Sequence, residues 1–141
     1  MLVSYWWSKI KIIFITRKKR ILNKISPFRA TAHVHFVILC MPRTGSTLLH
    51  TLLNSHPNII SYGEVLRRNY VRGKQTDLSA DIFKKHQTSI KAIGLKLFYE
   101  YRTKQDFKDY YREITRNKNV KIIHLVRENL LDSFISLKNA Q

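Results

Sequence analysis

The feature that most constrains the fold is a strand, a short loop and a helix encoded within residues 33–53. An apolar run at 34–40 gives way to a small, polar loop, and four leucines follow at helical spacing. The loop consists of Pro42, Arg43, Thr44, Gly45, Ser46 and Thr47. The amides of such a loop converge, and the helix N-terminus adds about half a positive charge. The segment therefore predicts an α/β fold with an anion-binding loop.

The side chains of this loop suit a phosphate. Thr44, Ser46 and Thr47 offer hydroxyl donors, Gly45 permits close backbone approach, and Arg43 adds a planar fixed charge. A Walker A loop would need the pattern GxxxxGK[ST], but no lysine precedes Ser46 and the loop is shorter. The sequence thus predicts a phosphate cradle of another kind.

The rest of the chain alternates between predicted strands and helices. Strands are expected at 34–40, 91–98 and 120–126, and helices at 46–54, from Glu64, at 78–88, 104–116 and 128–138. Residues 58–63 are expected to form a loop and 72–74 a turn. Apolar strands separated by helices favour a parallel sheet with right-handed crossovers. We therefore expect an α/β domain, with a P-loop-like parallel sheet flanked by helices.

Three later motifs follow the loop along the chain. They are Ser61-Tyr62-Gly63-Glu64, Lys91-Ala92-Ile93-Gly94-Leu95-Lys96-Leu97, and Ile122 to Leu131 with Ser136 beyond. Together with the loop they resemble the sulfotransferases that use 3′-phosphoadenosine 5′-phosphosulfate (PAPS). The arginine in the loop is similar to the bacterial branch that sulfates carbohydrates and glycolipids. The resemblance covers roughly residues 34–141 and implies sulfuryl transfer from PAPS to a carbohydrate or glycolipid hydroxyl.

The resemblance implies two catalytic residues. Arg43 stands where the cytosolic branch has a lysine, and it would stabilise negative charge on the leaving phosphate. Glu64 stands just beyond the first helix, where the same bacterial branch and the tyrosine-protein sulfotransferases carry a catalytic glutamate. It would act as the general base. The alternative for Glu64 is an acidic residue that stabilises the first turn of the next helix.

The resemblance also implies the residues that bind the donor. The loop residues 42–47 would hold the 5′-phosphosulfate, and Arg127 with a serine on the next helix would hold the 3′-phosphate. The usual spacing would put that serine at position 135, which is isoleucine here, so Ser136 is the first candidate and Ser133 the second. The alternative for Arg127 is a solvated arginine at a helix start. We expect no metal, because the cations would neutralise the leaving phosphate and no carboxylates cluster.

The charge of the chain indicates an anionic partner. Its 141 residues contain 26 Lys and Arg against 9 Asp and Glu, which gives a net charge of +17. This excess of positive charge could attract a nucleotide, an acidic glycan, an anionic membrane or a nucleic acid. We expect the nucleotide donor and a carbohydrate or glycolipid acceptor, and not nucleic acid.

Residues 1–32 form a basic, aromatic N-terminal extension of the predicted domain at 33–141. Met1 to Thr16 is apolar and aromatic, and a basic run follows at 17–20. Lysines interrupt the apolar part, and the order of charges differs from that of a secretory signal. A helix on an anionic membrane surface is one interpretation, and an amphipathic helix packed on the domain or a frayed chain end are the alternatives. The protein is expected in the cytoplasm, and the first interpretation would make it peripheral to a membrane.

The remaining residues with reactive side chains carry weaker expectations. The single cysteine, Cys40, cannot form an internal disulfide and is expected to be buried in the core. His33 and His35 alternate along one strand without a further metal ligand nearby in the sequence, and His124 is expected to be a core histidine.

Three alternatives remain open from the residues alone. A kinase-like P-loop protein would share the strand, loop and helix but should carry a Walker lysine and an aspartate at a strand end. A basic module that binds nucleic acid or membranes would show a steep salt dependence. An inactive, truncated sulfotransferase is the third, because family members usually continue well beyond this length and carry a basic loop that closes over the nucleotide.

Overall fold

A computed structural model gives the fold, and it describes residues 33–139 together with Ile21 and residues 29–30. The predicted amphipathic helix of the N-terminal extension lies almost entirely outside the described residues. In the part of the chain that is described, no helix has both the length and the apolarity needed to cross a bilayer.

The centre of the domain is a parallel sheet of four strands. The strands are β1 Arg29–Ala30, β2 Val34–Cys40, β3 Ile59–Ser61, β4 His86–Gln87, β5 Ala92–Phe98 and β6 Val120–Leu125. The sheet has the order β3-β5-β2-β6, while β1 and β4 pair antiparallel as a separate ribbon. The α/β parallel sheet predicted from the sequence is confirmed.

Helices connect the strands. They are α1 Ser46–Ser55, α2 Val65–Val71, α3 Lys108–Arg116 and α4 Leu130–Lys138, with a π-helical turn at Leu78–Ile82 and a 3-10 turn at Tyr99–Arg102. Helix α1 ends where the sequence predicts, because Pro57 disfavours a helical conformation at His56, which is extended. On α3, Ile114 is buried in the core and Tyr110 and Tyr111 pack against it, as the predicted apolar stripe requires.

The two middle strands form the core of the domain. Residues 36–40 of β2 and 93–98 of β5 are buried, since each strand has a neighbour on both sides. Cys40 is among these buried residues, as expected. Gly94 pairs with Phe36 across the two strands, and a β-carbon at Gly94 would lie only 2.4 Å from the Phe36 carbonyl oxygen. The close packing of β5 on β2 therefore requires glycine at this position.

Two predicted elements are wrong. The loop expected at 58–63 contains β3, which pairs with β5. The helix expected at 78–88 stops after the π-helical turn, and His86 and Gln87 form β4 instead. Both strands depend on partners distant in the sequence, and such pairing overrides local helical periodicity.

Strand β6 is an edge strand and is largely exposed. The prediction that His124 lies in the core is wrong, because the side chains from Lys121 to His124 are exposed. The His124 ring instead hydrogen-bonds the Tyr99 hydroxyl. The apolar residues of α4 are also exposed, with Leu130 at 69% of its possible surface. In the described part of the domain, β6 and α4 thus form an exposed flank with many apolar side chains.

The substitution Gly94→Ala should lower the free energy of unfolding by about 1–3 kcal/mol, because the added carbon forces β5 away from Phe36. Urea unfolding measures this, with Lys121→Ala on exposed β6 as the control, expected to change stability by about 0.5 kcal/mol or less. Equal unfolding midpoints for wild type and Gly94→Ala would show that the contact is not tight.

Candidate active site

The loop between β2 and α1 has the backbone of an anion cradle. Arg43 and Gly45 both have positive φ, at 66° and 83°. Gly45 is the N-cap of α1, and no side chain caps the helix there. Because Arg43 and Gly45 adopt left-handed conformations, the backbone amides of the loop turn toward one side. The first amides of α1 add further N–H donors on that side. Left-handed arginine is strained, so its surroundings must hold it.

The carboxyl end of β6 and helix α4 hold the loop. Arg127 donates a hydrogen bond to the Arg43 carbonyl at 3.3 Å, and it pairs with the Asp132 carboxylate at 3.3 Å. Arg43 itself donates from Nε to the Ser136 hydroxyl at 2.8 Å. The structure therefore brings together three residues that the sequence assigned to the donor, namely Arg43, Arg127 and Ser136.

Ser133 lines a different cavity from Arg43. Its hydroxyl is buried, and no hydrogen-bond partner for it exists among the described residues. It borders an apolar cavity of about 580 Å³ together with Thr44 and Arg127. Both serine candidates lie on α4; Ser133 shares a cavity lining with Arg127, whereas Ser136 hydrogen-bonds Arg43.

The main cleft contains an ion pair that the sequence analysis missed. Lys96 lies in β5 with only 3% of its surface exposed, and its Nζ is 2.9 Å from a carboxylate oxygen of Glu64. The same Nζ is 3.5 Å from the Thr47 hydroxyl of the loop. The sequence did contain a signal for this ion pair, because Lys96 interrupts an otherwise apolar strand and a buried charge needs a partner of opposite charge. Lys96 links the predicted base to the predicted phosphate cradle.

Glu64 is at the N-cap of α2, but its carboxylate does not cap the helix. It is directed at Lys96, with Arg67 further away at 3.7 Å. The side chain of Glu64 is 34% exposed, so a reactant can reach it. The geometry therefore favours a role in the cleft over the alternative of helix stabilisation.

Contacts to α1 and β5 fix the backbone that leads to Glu64. The Asn54 amide donates to the Ser61 carbonyl at 2.7 Å and accepts from the Ser61 amide at 2.9 Å. Gly63 has a φ of 63°, which strains other residues, and a β-carbon there would lie 3.1 Å from the His50 ring. The Gly63 carbonyl accepts from the Lys96 amide at 2.9 Å. Glu64 is thus positioned by the same strand that carries Lys96.

The cleft around this ion pair has a volume of about 630 Å³. Its lining includes the loop residues Pro42, Arg43, Ser46 and Thr47, so Thr44 and Gly45 are the loop residues not among the lining side chains. Charged groups of both signs line the cleft, with the cations Arg43, Arg67, Lys96 and Lys104 and the carboxylates Glu64, Glu100 and Asp106. The cleft can hold an anion at the loop, and the charges of the rest of its lining nearly cancel.

The described residues support neither a cysteine nucleophile nor a metal centre. Burial raises the pKa of the Cys40 thiol, which is the opposite of what an activated nucleophile needs. Across residues 33–139, no three His, Cys, Asp or Glu side chains are grouped so as to hold a metal ion.

Comparison with known proteins shows which family the chain resembles. The sulfotransferase family model matches residues 36–118, which include the loop, Glu64 and Lys96. Nodulation protein H of Rhizobium tropici is 34% identical over 121 residues, covering 75% of this chain and 46% of that protein. Nodulation protein H of Rhizobium meliloti (strain 1021) is 28% identical over 118 residues, covering 75% of this chain and 47% of that protein.

The chain spans about half the length of these curated relatives. No solved structure matches significantly. The family match ends before Arg127, so the loop and the Glu64–Lys96 pair lie inside it and the α4 serines lie outside. Because the match extends over more than half of the chain and the parallel α/β fold agrees with it, this protein belongs to the sulfotransferase family.

Proposed function

We propose that this protein transfers a sulfuryl group from PAPS to a hydroxyl of a carbohydrate or glycolipid acceptor. The observation that carries the proposal is the position of Lys96 Nζ, 2.9 Å from Glu64 and 3.5 Å from Thr47. A base for the acceptor and a cradle for the donor phosphate therefore share one cleft. Family membership supports sulfuryl transfer over the kinase-like alternative.

The loop is proposed to bind the 5′-phosphosulfate of PAPS. Its amides, with the hydroxyls of Ser46 and Thr47, would surround the phosphate, and Gly45 leaves that side open. Arg43 is exposed beside the cleft and would contribute a fixed charge to the bridging oxygen. Arginine does not release its proton at physiological pH, so this contribution is electrostatic. Arg43 and Lys96, rather than a metal, neutralise the leaving phosphate in this proposal.

Glu64 is proposed to accept the proton of the acceptor hydroxyl. As that oxygen forms a bond to sulfur, the bond from sulfur to the bridging oxygen breaks, and its electron pair stays on the 5′-phosphate. The products are a sulfate ester and 3′-phosphoadenosine 5′-phosphate (PAP). Protonation of Glu64 leaves the Lys96 charge unbalanced beside Thr47. That charge then stabilises the phosphate as it becomes more negative.

Arg127 is proposed to bind the 3′-phosphate with a serine of α4. Asp132 orients the guanidinium group, and the bond to the Arg43 carbonyl joins this group to the loop. Ser136 remains the first candidate because it contacts Arg43. The unpartnered hydroxyl of Ser133 within the described structure supports the second candidate.

The substitution Arg43→Ala should reduce transfer from PAPS about a hundredfold, because one transition-state charge contributes about 3 kcal/mol. The fold should persist, since the side chain is exposed. Transfer of radiolabelled sulfate and thermal unfolding measure the two effects. Arg112→Ala, at an exposed position of α3, is the matched control and should change neither sulfate transfer nor thermal unfolding. Near wild-type transfer by Arg43→Ala would contradict the assignment.

The substitution Glu64→Gln should lower transfer by about 10²–10⁴-fold while PAP still binds, because the amide cannot accept the proton. Single-turnover transfer and calorimetric titration with PAP separate the two steps. A variant that loses PAP binding yet turns over bound donor normally would instead assign Glu64 a structural role.

A further inference from the structure

A histidine on α1 contacts the turn that precedes Glu64. His50 lies one helical turn after Ser46, the residue with which α1 begins. Its ring is half-buried, and within the described chain the lining of the cleft includes Glu64 but not His50. The proton transfer proposed above uses neither ring nitrogen. What the ring contacts instead is the backbone that leads to the proposed base.

The His50 ring hydrogen-bonds one residue of this turn and packs against another. His50 Nδ1 lies 2.6 Å from the hydroxyl of Ser61, which is fully buried. The edge of the ring lies over Gly63, so a β-carbon there would be 3.1 Å from His50 Nε2 and 3.2 Å from Cε1. Ser61 is three residues before Glu64, and Gly63 is directly before it. The two contacts therefore hold α1 and the turn at a set separation.

The turn is held from both sides. On the α1 side, Asn54 pairs with the backbone of Ser61 at 2.7 Å and 2.9 Å, and His50 extends the contact to Gly63. On the β5 side, the Gly63 carbonyl accepts from the Lys96 amide at 2.9 Å. A shift of α1 away from β5 would thus move the residue next to Glu64.

The phosphate loop continues into the same helix. Gly45 is the N-cap of α1, and the Thr47 hydroxyl near its start lies 3.5 Å from Lys96 Nζ. Because a short helix moves as one rigid element, the position of His50 is fixed relative to the first amides of α1. The His50 ring therefore joins the proposed cradle to the proposed base by a second connection, in addition to the Lys96 ion pair.

We propose that His50 is a positioning residue, whose ring sets the distance between the phosphate loop and Glu64 so that the base reaches the acceptor hydroxyl while the donor is bound. Rates depend steeply on such geometry, and a displacement of about 1 Å can cost about a hundredfold. His50 exchanges no proton with the reactants. The inference rests on the proposed function, since His50 acts through the proposed base.

Combining substitutions at His50 and Glu64 tests this role. Single-turnover transfer of radiolabelled sulfate from PAPS is measured with whichever of cellohexaose, maltohexaose and chitohexaose the wild type sulfates fastest. His50→Ala should slow transfer at least about tenfold, while the Kd for PAP changes by less than about twofold. In a Glu64→Gln background the same substitution should change the residual rate by less than about twofold, because no base remains to be positioned. A general packing defect would instead lower the rate equally in both backgrounds.

Two milder variants keep the test decisive if His50→Ala unfolds. His50→Asn keeps a polar atom near Ser61 but removes the ring from Gly63, whereas His50→Phe keeps a ring over Gly63 but loses the hydrogen bond. Each should retain a higher transfer rate than His50→Ala and the same dependence on Glu64. Leu52→Ala, at an exposed position of α1, is the matched control and should leave the transfer rate unchanged.

Three results would overturn the inference. They are wild-type transfer by His50→Ala, an equal fall in rate with and without the Glu64 carboxylate, and a loss of PAP affinity that accounts for the slower transfer. A wild-type chain that transfers sulfate from PAPS to none of the three hexasaccharides would overturn the proposed function itself, and the inference would fall with it.

Discussion

The buried ammonium group of Lys96 is the constraint on which the site depends. A lysine with 3% exposure in a central strand requires a compensating charge, and Glu64 supplies it at 2.9 Å. The loop after β3 must therefore bring Glu64 to the carboxyl end of β5, and the contacts of Asn54 and Gly63 hold it there. Parallel pairing of β2 with β5 sets the phosphate loop beside the same end. The proposed donor cradle and the proposed base are thus neighbours because of one ion pair and one strand pairing.

Local patterns predicted the parts of the fold that depend on local interactions. The segment from β2 through the loop to α1 is one of these, since strand, glycine and helix signals follow each other directly. Strand β3 was missed because its partner β5 is about thirty residues away, and β4 because it pairs with Arg29–Ala30. The Glu64–Lys96 contact was not predicted, because the two residues lie in separate motifs that were each interpreted without the other.

The two halves of the proposed donor site differ in their relation to the family match. The loop, Glu64 and Lys96 lie within the family match, whereas Arg127 and the α4 serines lie beyond residue 118. The geometry nevertheless joins the halves, because Arg127 bonds the Arg43 backbone and Ser136 bonds the Arg43 side chain. Arg43 therefore connects the proposed 5′-phosphate loop with the residues proposed for the 3′-phosphate. This connection is what the proposed PAPS site has beyond a loop that binds any phosphate.

Calorimetric titration with PAP and with AMP tests the central claim most directly, because the two nucleotides differ only in the 3′-phosphate. Wild type should bind PAP at least about tenfold more tightly, as one charge-assisted pair contributes about 1.5–3 kcal/mol. Arg127→Ala should remove most of this preference without weakening AMP. Ser133→Ala and Ser136→Ala, compared side by side, identify the serine that shares the phosphate. Equal affinity of the wild-type chain for PAP and AMP would contradict the 3′-phosphate site and leave only a general phosphate loop.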